Sequence, residues 1–234
     1  MRFSLFLAFY ARDAAARASA ADVARAGEIV KSIAGLRRGL VFTAERAPDP
    51  FVKYPPPPQL ALQLYFDEIA ALEATAGRKG PLMAFAASGA LPSVDKSGAV
   101  QQAMLARPYA VPDPAFRTKA GGLPCSDIIH YPGKAEDFDA WLAFYIESHV
   151  PLMRRLPGIR ELELYTRIDW TSALPWPKAE HMQRNKVVFD DADALAAALA
   201  SPIRAEMRAD FLNFPRFTEG NRHNPMATRE ILRR

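Results

Sequence analysis

The feature that most restricts what this chain can fold into is a repeat of its own pattern at a separation of 123 residues. Gly35-Leu36-Arg37 lies that far before Gly158-Ile159-Arg160. At the same separation Thr43 falls on Thr166, Phe66-Asp67 on Phe189-Asp190 and Ala71-Leu72 on Ala194-Leu195, with no gap. The opening apolar runs also align, Leu5-Phe6 against Ile128-Ile129. A single match is cheap in an Ala- and Leu-rich chain. An ordered, ungapped set with a shared apolar pattern marks a duplicated unit, and self-similarity at a fixed period outranks other fold signals.

Both units spell one order of elements. An apolar strand opens each, residues 3–11 and 126–131, and a helix follows, about 20–34 and 135–155. Gly35 and Gly158 are placed to end those helices, because glycine adopts the left-handed conformation without a Cβ penalty. In the next strands, 36–43 and 159–167, Leu162, Leu164 and Thr166 alternate with Glu161, Glu163 and Tyr165 at period two. Pro-rich loops, Pro55 to Pro58 and Pro175-Trp176-Pro177, lead to third strands ending in Tyr65-Phe66-Asp67 and Val188-Phe189-Asp190. The terminal Asp is expected to cap an Ala- and Leu-rich helix, its carboxylate accepting orphan backbone N–H groups. Closing strands are expected near 99–107 and 222–232.

Strand-helix-strand-strand-helix-strand is the split β-α-β plan. One such unit covers only one sheet face with helices and leaves the other in need of a partner. The expected fold is therefore α+β, tandem ferredoxin-like β-α-β-β-α-β repeats closing on each other as an intramolecular α+β barrel. Residues 1–110 form the first, degenerate repeat, 111–124 a Pro-rich linker and 125–234 the second repeat.

Composition removes several function classes. The net charge of +4 is spread over pairs such as Arg37/Arg38 and Arg154/Arg155, not gathered with aromatics into a groove, so nucleic acid is not an expected partner. The single cysteine, Cys125, excludes an intrachain disulfide and a Cys-based zinc site, and suits a cytoplasmic location. His130, His149, His181 and His223 show neither HxxxH nor HExxH spacing, so no metal is expected. Residues 3–11 have the outline of a short signal peptide, with Ala18-Ser19-Ala20 as a cleavage site; the repeat favours a buried first strand. No apolar run reaches transmembrane length, so no membrane partner is expected. G-x-G-x-x-G, G-x-S-x-G and P-loop patterns are absent, and no cofactor is expected.

The second unit carries distinctive words in order: Ile129-His130-Tyr131-Pro132, Phe138-Asp139-Ala140-Trp141, His149-Val150-Pro151-Leu152, Pro157-Gly158-Ile159, Ser201-Pro202 and Ala209-Asp210-Phe211. Over residues 126–217 this resembles the EthD family of the dimeric α+β barrel superfamily. The resemblance implies a small apolar or aromatic ligand. It also implies either a cofactor-independent enzyme of isomerase, dehydratase/lyase or cyclase type, or a non-catalytic binding or accessory protein of a degradation pathway. In related small isomerases of this fold the histidine of the H-x-P-L segment lies at the active site, which points to His149 as a proton shuttle. Some barrels of the superfamily bind haem through a histidine, a lesser option. A further pairing of two chains is compatible with the resemblance.

The residues themselves locate His149. At about 100° per residue, Phe138, Trp141, Tyr145, His149 and Leu152 form one apolar stripe facing the sheet. Pro151 cannot donate to the carbonyl of Glu147, which should loosen the helix there. A buried imidazole should stay neutral at pH 7 and accept a proton beside a cavity of a few hundred Å³; the alternative is a core histidine bonded to backbone. The first-unit counterpart is Ala26. Tyr145, His130, Tyr165 and Trp176 are candidate substrate-binding residues. His130 faces the barrel or a helix, Tyr165 shares a strand face with Glu161 and Glu163 that is expected at the surface, and Trp176 roofs a pocket or pins its loop. Asp210 reads as a surface ion pair with Arg204 or Arg208.

Overall fold

Alternating side chains leave both faces of every strand in need of cover, and a closed sheet provides it. The computed structural model of the protein describes residues 2–52 and 55–233. Its strands are β1 (Phe3–Tyr10), β2 (Arg38–Ala44), β3 (Leu60–Phe66), β4 (Gly98–Tyr109), β5 (Cys125–Tyr131), β6 (Glu161–Arg167), β7 (Gln183–Phe189) and β8 (Arg222–Arg233). All pairs are antiparallel, and the barrel closes in the order β1-β3-β2-β8-β5-β7-β6-β4. The first half thus runs β4-β1-β3-β2 and the second β8-β5-β7-β6, one order used twice, with seams at β2–β8 and β4–β6.

Helices α1 (Ala20–Lys31), α2 (Ile69–Ala76) and α3 (Met83–Ala86) cover the outer face of the first half. Helices α4 (Phe138–Phe144), α5 (Val150–Met153), α6 (Ala192–Leu199) and α7 (Pro202–Phe211) cover the second. Three apolar clusters result. Leu5, Leu7, Phe9, Leu62 and Leu64 pack under the first helices, and Ile129, Tyr131, Trp141, Leu164 and Val187 under the second. Phe6, Leu40, Phe42, Met104, Ile128 and Met226 fill the barrel. Gly35 and Gly158 hold φ of +73° and +75° in the turns into β2 and β6, but they do not end the helices, which are capped earlier at Ser32 and Arg154.

The long connections cross over. The β2–β3 connection of the first half sends Ala47 into the second-half cluster. The β6–β7 connection of the second half sends Trp170 and Leu174 into the first-half cluster, and Ala173 N–H donates to Ala76 O at 2.9 Å.

The structure corrects the sequence reading at several points. Phe3 pairs with Phe66 and Cys125 with Phe189, so the first strands align at 122 residues, Leu5 with Asp127 and Phe6 with Ile128. A one-residue slip in a strand exchanges its faces. The Glu161/Glu163/Tyr165 face points into the barrel, not to solvent: Tyr165 and Tyr65 both donate to Glu163 Oε2 at 2.5 Å, and Lys186 Nζ lies 2.8 Å from it. Asp190 does not cap α6. Its neighbour Asp191 does, accepting from Ala194 N–H, while Asp190 takes Arg160 at 2.7 Å just as Asp67 takes Arg37 at 2.5 Å.

One barrel contact joins equivalent positions of the two halves. Arg38 grips Glu161 bidentately at 2.8 and 2.9 Å and also reaches Glu230 at 2.7 Å. Burial opposes the charge on Glu161, but Lys186 and Arg38 hold its carboxyl down to about 2.

Candidate active site

The helix carrying His149 widens where Pro151 cannot donate a hydrogen bond. Between α4 and α5, Tyr145–His149 form a π-helical turn closed by Val150 N–H on Tyr145 O. Such single wide turns concentrate at functional sites. The turn aims His149 at α7, which begins at Pro202 behind Ser201 and brings up Asp210. His149 Nδ1 lies 2.7 Å from Asp210 Oδ2, and Ser148 Oγ donates to the other carboxylate oxygen. Both dyad side chains are nearly enclosed, 7% and 10% exposed. Asp210 is therefore not a surface partner of Arg204 or Arg208.

Electrostatics fix the proton. Burial lowers the pKa of His149, and the bond to Asp210 only partly offsets this. A neutral imidazole whose Nδ1–H is held by a carboxylate presents Nε2 as its basic nitrogen. Tyr145 and Phe214 stand at 5.0 and 5.1 Å from the imidazole ring centre.

His149 borders a cavity of about 50 Å³, which Asp127, Tyr145, Asn185, Arg204 and His223 also line. That is well below the few hundred Å³ expected. A second dyad faces the space, His223 Nδ1 to Asp127 Oδ2 at 2.8 Å. Asn185 Nδ2 donates to the Tyr145 hydroxyl, which also has Met153 Sδ at 3.8 Å and the Tyr131 and Gln183 side chains as hydrogen-bonding neighbours. Burial raises the Tyr145 pKa, so this hydroxyl stays a donor. Asp127 Oδ1 and Asn185 Oδ1 are buried without a hydrogen-bond partner among the described residues. The roof comes from the other half: Arg204 bonds to Asp49 at 2.8 Å, its guanidinium lies over Phe51, and Val52 lines the cavity.

Of the five residues singled out from sequence, the structure brings together His149 and Tyr145. His130 and Tyr165 face the barrel interior, on the other side of the sheet, where His130 meets Arg184 and Tyr165 meets Glu163. Trp176 packs edge-on against Phe9, 5.4 Å away, under the first half. Asp127, His223 and Asp210 were not anticipated here. The available signal was Asp127, the one charged side chain inside the opening strand Cys125-Ser126-Asp127-Ile128-Ile129.

No family model and no curated protein matches the sequence. Solved structures do match. An anthrone oxidase-like protein aligns over 98% of this chain and 93% of its own at 11% identity and TM-score 0.60. A presumed monooxygenase from Fusobacterium nucleatum aligns over 98% and 93% at 9% identity and TM-score 0.59. An EthD family protein from Bacillus halodurans aligns with 46% of this chain and 97% of its own at 19% identity and TM-score 0.35. The chain thus has the dimeric α+β barrel fold, both halves in one polypeptide. Haem does not fit the His149 site, where a cavity of about 50 Å³ is too small for a porphyrin. Among the described residues no group of three or more His, Cys, Asp or Glu is arranged to hold a metal ion, and no helix is long and apolar enough to cross a membrane.

Proposed function

We propose that the protein is a cofactor-independent acid–base enzyme acting on a small apolar or aromatic molecule, of isomerase, dehydratase/lyase or cyclase type. The observation that carries this is the His149–Asp210 dyad opening on the same enclosed space as the Tyr145 hydroxyl. In the proposed step His149 Nε2 removes a proton from a carbon next to a carbonyl. Tyr145 donates a hydrogen bond to the oxygen as it gains charge, Asp210 stabilises the imidazolium, and His149 then returns the proton at another atom of the substrate. Positioned acid–base groups of this kind contribute about 10²–10⁴-fold. Asp127 Oδ1 and Asn185 Oδ1 would receive hydroxyl groups of a polar-edged substrate. Because the cavity is small, entry requires the roof around Asp49 and Val52 to yield. The ordered motifs of residues 126–217 support an EthD-like second half.

The test is deuterium incorporation from D2O into a panel of small enolisable aromatic ketones, followed by NMR. Exchange that His149→Ala abolishes supports the reading. Tight binding without exchange would instead identify a non-catalytic binding protein, and exchange unaffected by His149→Ala would remove His149 from the chemistry.

A further inference from the structure

Among the described residues five basic side chains are buried: Arg38, Arg160, Arg184, Lys186 and Arg204. Four of them face a carboxylate at 2.7 to 2.8 Å. Arg184 does not. Its Nε and Nη2 both donate to Gln102 Oε1 at 3.1 and 3.0 Å, Nη1 lies 3.1 Å from His130 Nδ1, and the guanidinium sits 4.7 Å from the centre of the Phe6 ring. Every one of these partners is neutral. The surroundings add positive charge from Arg222, which stands beside His130 across the β5–β8 pair, while a neutral His181 stacks on His130 at 5.0 Å. Burial, then Arg184 and Arg222, pushes His181 down to about 3, and burial brings Arg184 itself to about 10, still charged at neutral pH. A buried charge without a counter-charge destabilises the folded chain.

Gln102 connects this charge to the outside. Its carboxamide oxygen occupies the guanidinium fork, its Nε2 donates to His181 O at 2.8 Å, and the residue also lines a cleft of about 520 Å³ at this mouth of the barrel. Arg167 and Lys178 flank the cleft, opposed by Asp169 and Glu180, and Ile168 and Trp170 give it an apolar wall. Carboxylates match an arginine fork with two parallel charge-assisted bonds, which an amide oxygen cannot supply.

We propose that this cleft is a binding site for a small aromatic or aliphatic carboxylate, which displaces the Gln102 oxygen from Arg184 and supplies the missing negative charge. The site is separate from the His149 cavity: Arg184 points into the barrel, whereas Asn185, the next residue, lines the cavity under the helices. It does not depend on the proposed chemistry there.

Benzoate is a suitable probe, compared with chloride at equal ionic strength by calorimetric titration and thermal unfolding. The wild-type midpoint should rise with benzoate, and Arg184→Gln should weaken benzoate binding by about tenfold or more. Gln102→Glu installs the counter-charge within the chain; it should raise the midpoint without benzoate and abolish the benzoate response. A wild-type midpoint equal in benzoate and chloride overturns the proposal, as does a benzoate response that persists in both variants. If Arg184→Gln fails to fold, the Gln102→Glu response alone decides. Inorganic phosphate binding as tightly as benzoate would overturn the carboxylate assignment.

Discussion

Under the helices of the first half, Leu5, Ala26 and Leu62 meet Trp170, Leu174 and Trp176 arriving from the other half, and the space is filled with carbon. At the equivalent positions of the second half stand Asp127, His149 and Asn185, and the connection that arrives brings Asp49 and Val52 around a cavity. Gln101 and His223 are also equivalent by strand pairing, opposite Leu7 and Ile129. Gln101 is spent on anchoring the crossing loop, bonding to Trp176 O at 2.6 Å and Ser172 Oγ at 2.7 Å, whereas His223 joins a dyad. Burying polar groups costs stability unless each finds a partner. In a duplicated scaffold one half can stay apolar and offset what the other gives up for its polar site.

The sharpest way to break this comparison is His149→Ala, which should reduce turnover by about 10²–10⁴-fold while leaving the thermal midpoint nearly unchanged. A large fall in the midpoint would make His149 a packing residue like its counterpart Ala26. On the first-half side, Trp170→Ala should cost about 3–5 kcal/mol in urea unfolding, as for other buried tryptophans, and Val52→Ala far less. Equal costs would mean that both loops are structural in the same way. Ala26→His places an imidazole among Leu and Ile side chains and should cost about 1–3 kcal/mol for an unpaired buried polar group, with no gain of activity.

The asymmetry also predicts a slope with pH. All four histidines lie in the second half. Burial lowers the folded pKa of His130, His149 and His181 below the ordinary 6.5. The unfolded chain therefore binds more protons, so stability is full above about 6.5 and falls as the pH drops from there toward the folded values, about 3 for His181. Each histidine contributes at most about 1.4 kcal/mol per pH unit. Hydrogen exchange at pH 5 should show β5–β8 opening before β1–β4; uniform opening would deny the asymmetry.

The fold was legible because the repeat reports strand order, and strand order with one apolar face left over leads to a closed barrel. The error in the first strands has a physical source: Leu5-Phe6 and Ile128-Ile129 are all apolar, so nothing in their composition distinguishes one register from its neighbour. Glu161 and Glu163 misled because alternation locates a polar face but does not say whether solvent or an internal Lys186 and Arg38 meet it. His149 and Tyr145 were legible from helical spacing and Pro151. Their partners were not, since Asp210, Asp127 and His223 converge from α7, β5 and β8, and contacts between distant segments leave no local pattern.

The contact between Arg38 and Glu161 carries a consequence for ancestry and assembly. In a dimer of identical chains, a residue near the two-fold axis faces its own copy. Two first halves closing on each other would set Arg38 against Arg38, and two second halves Glu161 against Glu161, each a like-charge encounter in a low-dielectric interior. Only unlike halves close the ring without repulsion. After duplication, mutual recognition could thus pass from symmetry to complementarity, and each half was then free to diverge because it no longer had to fit itself.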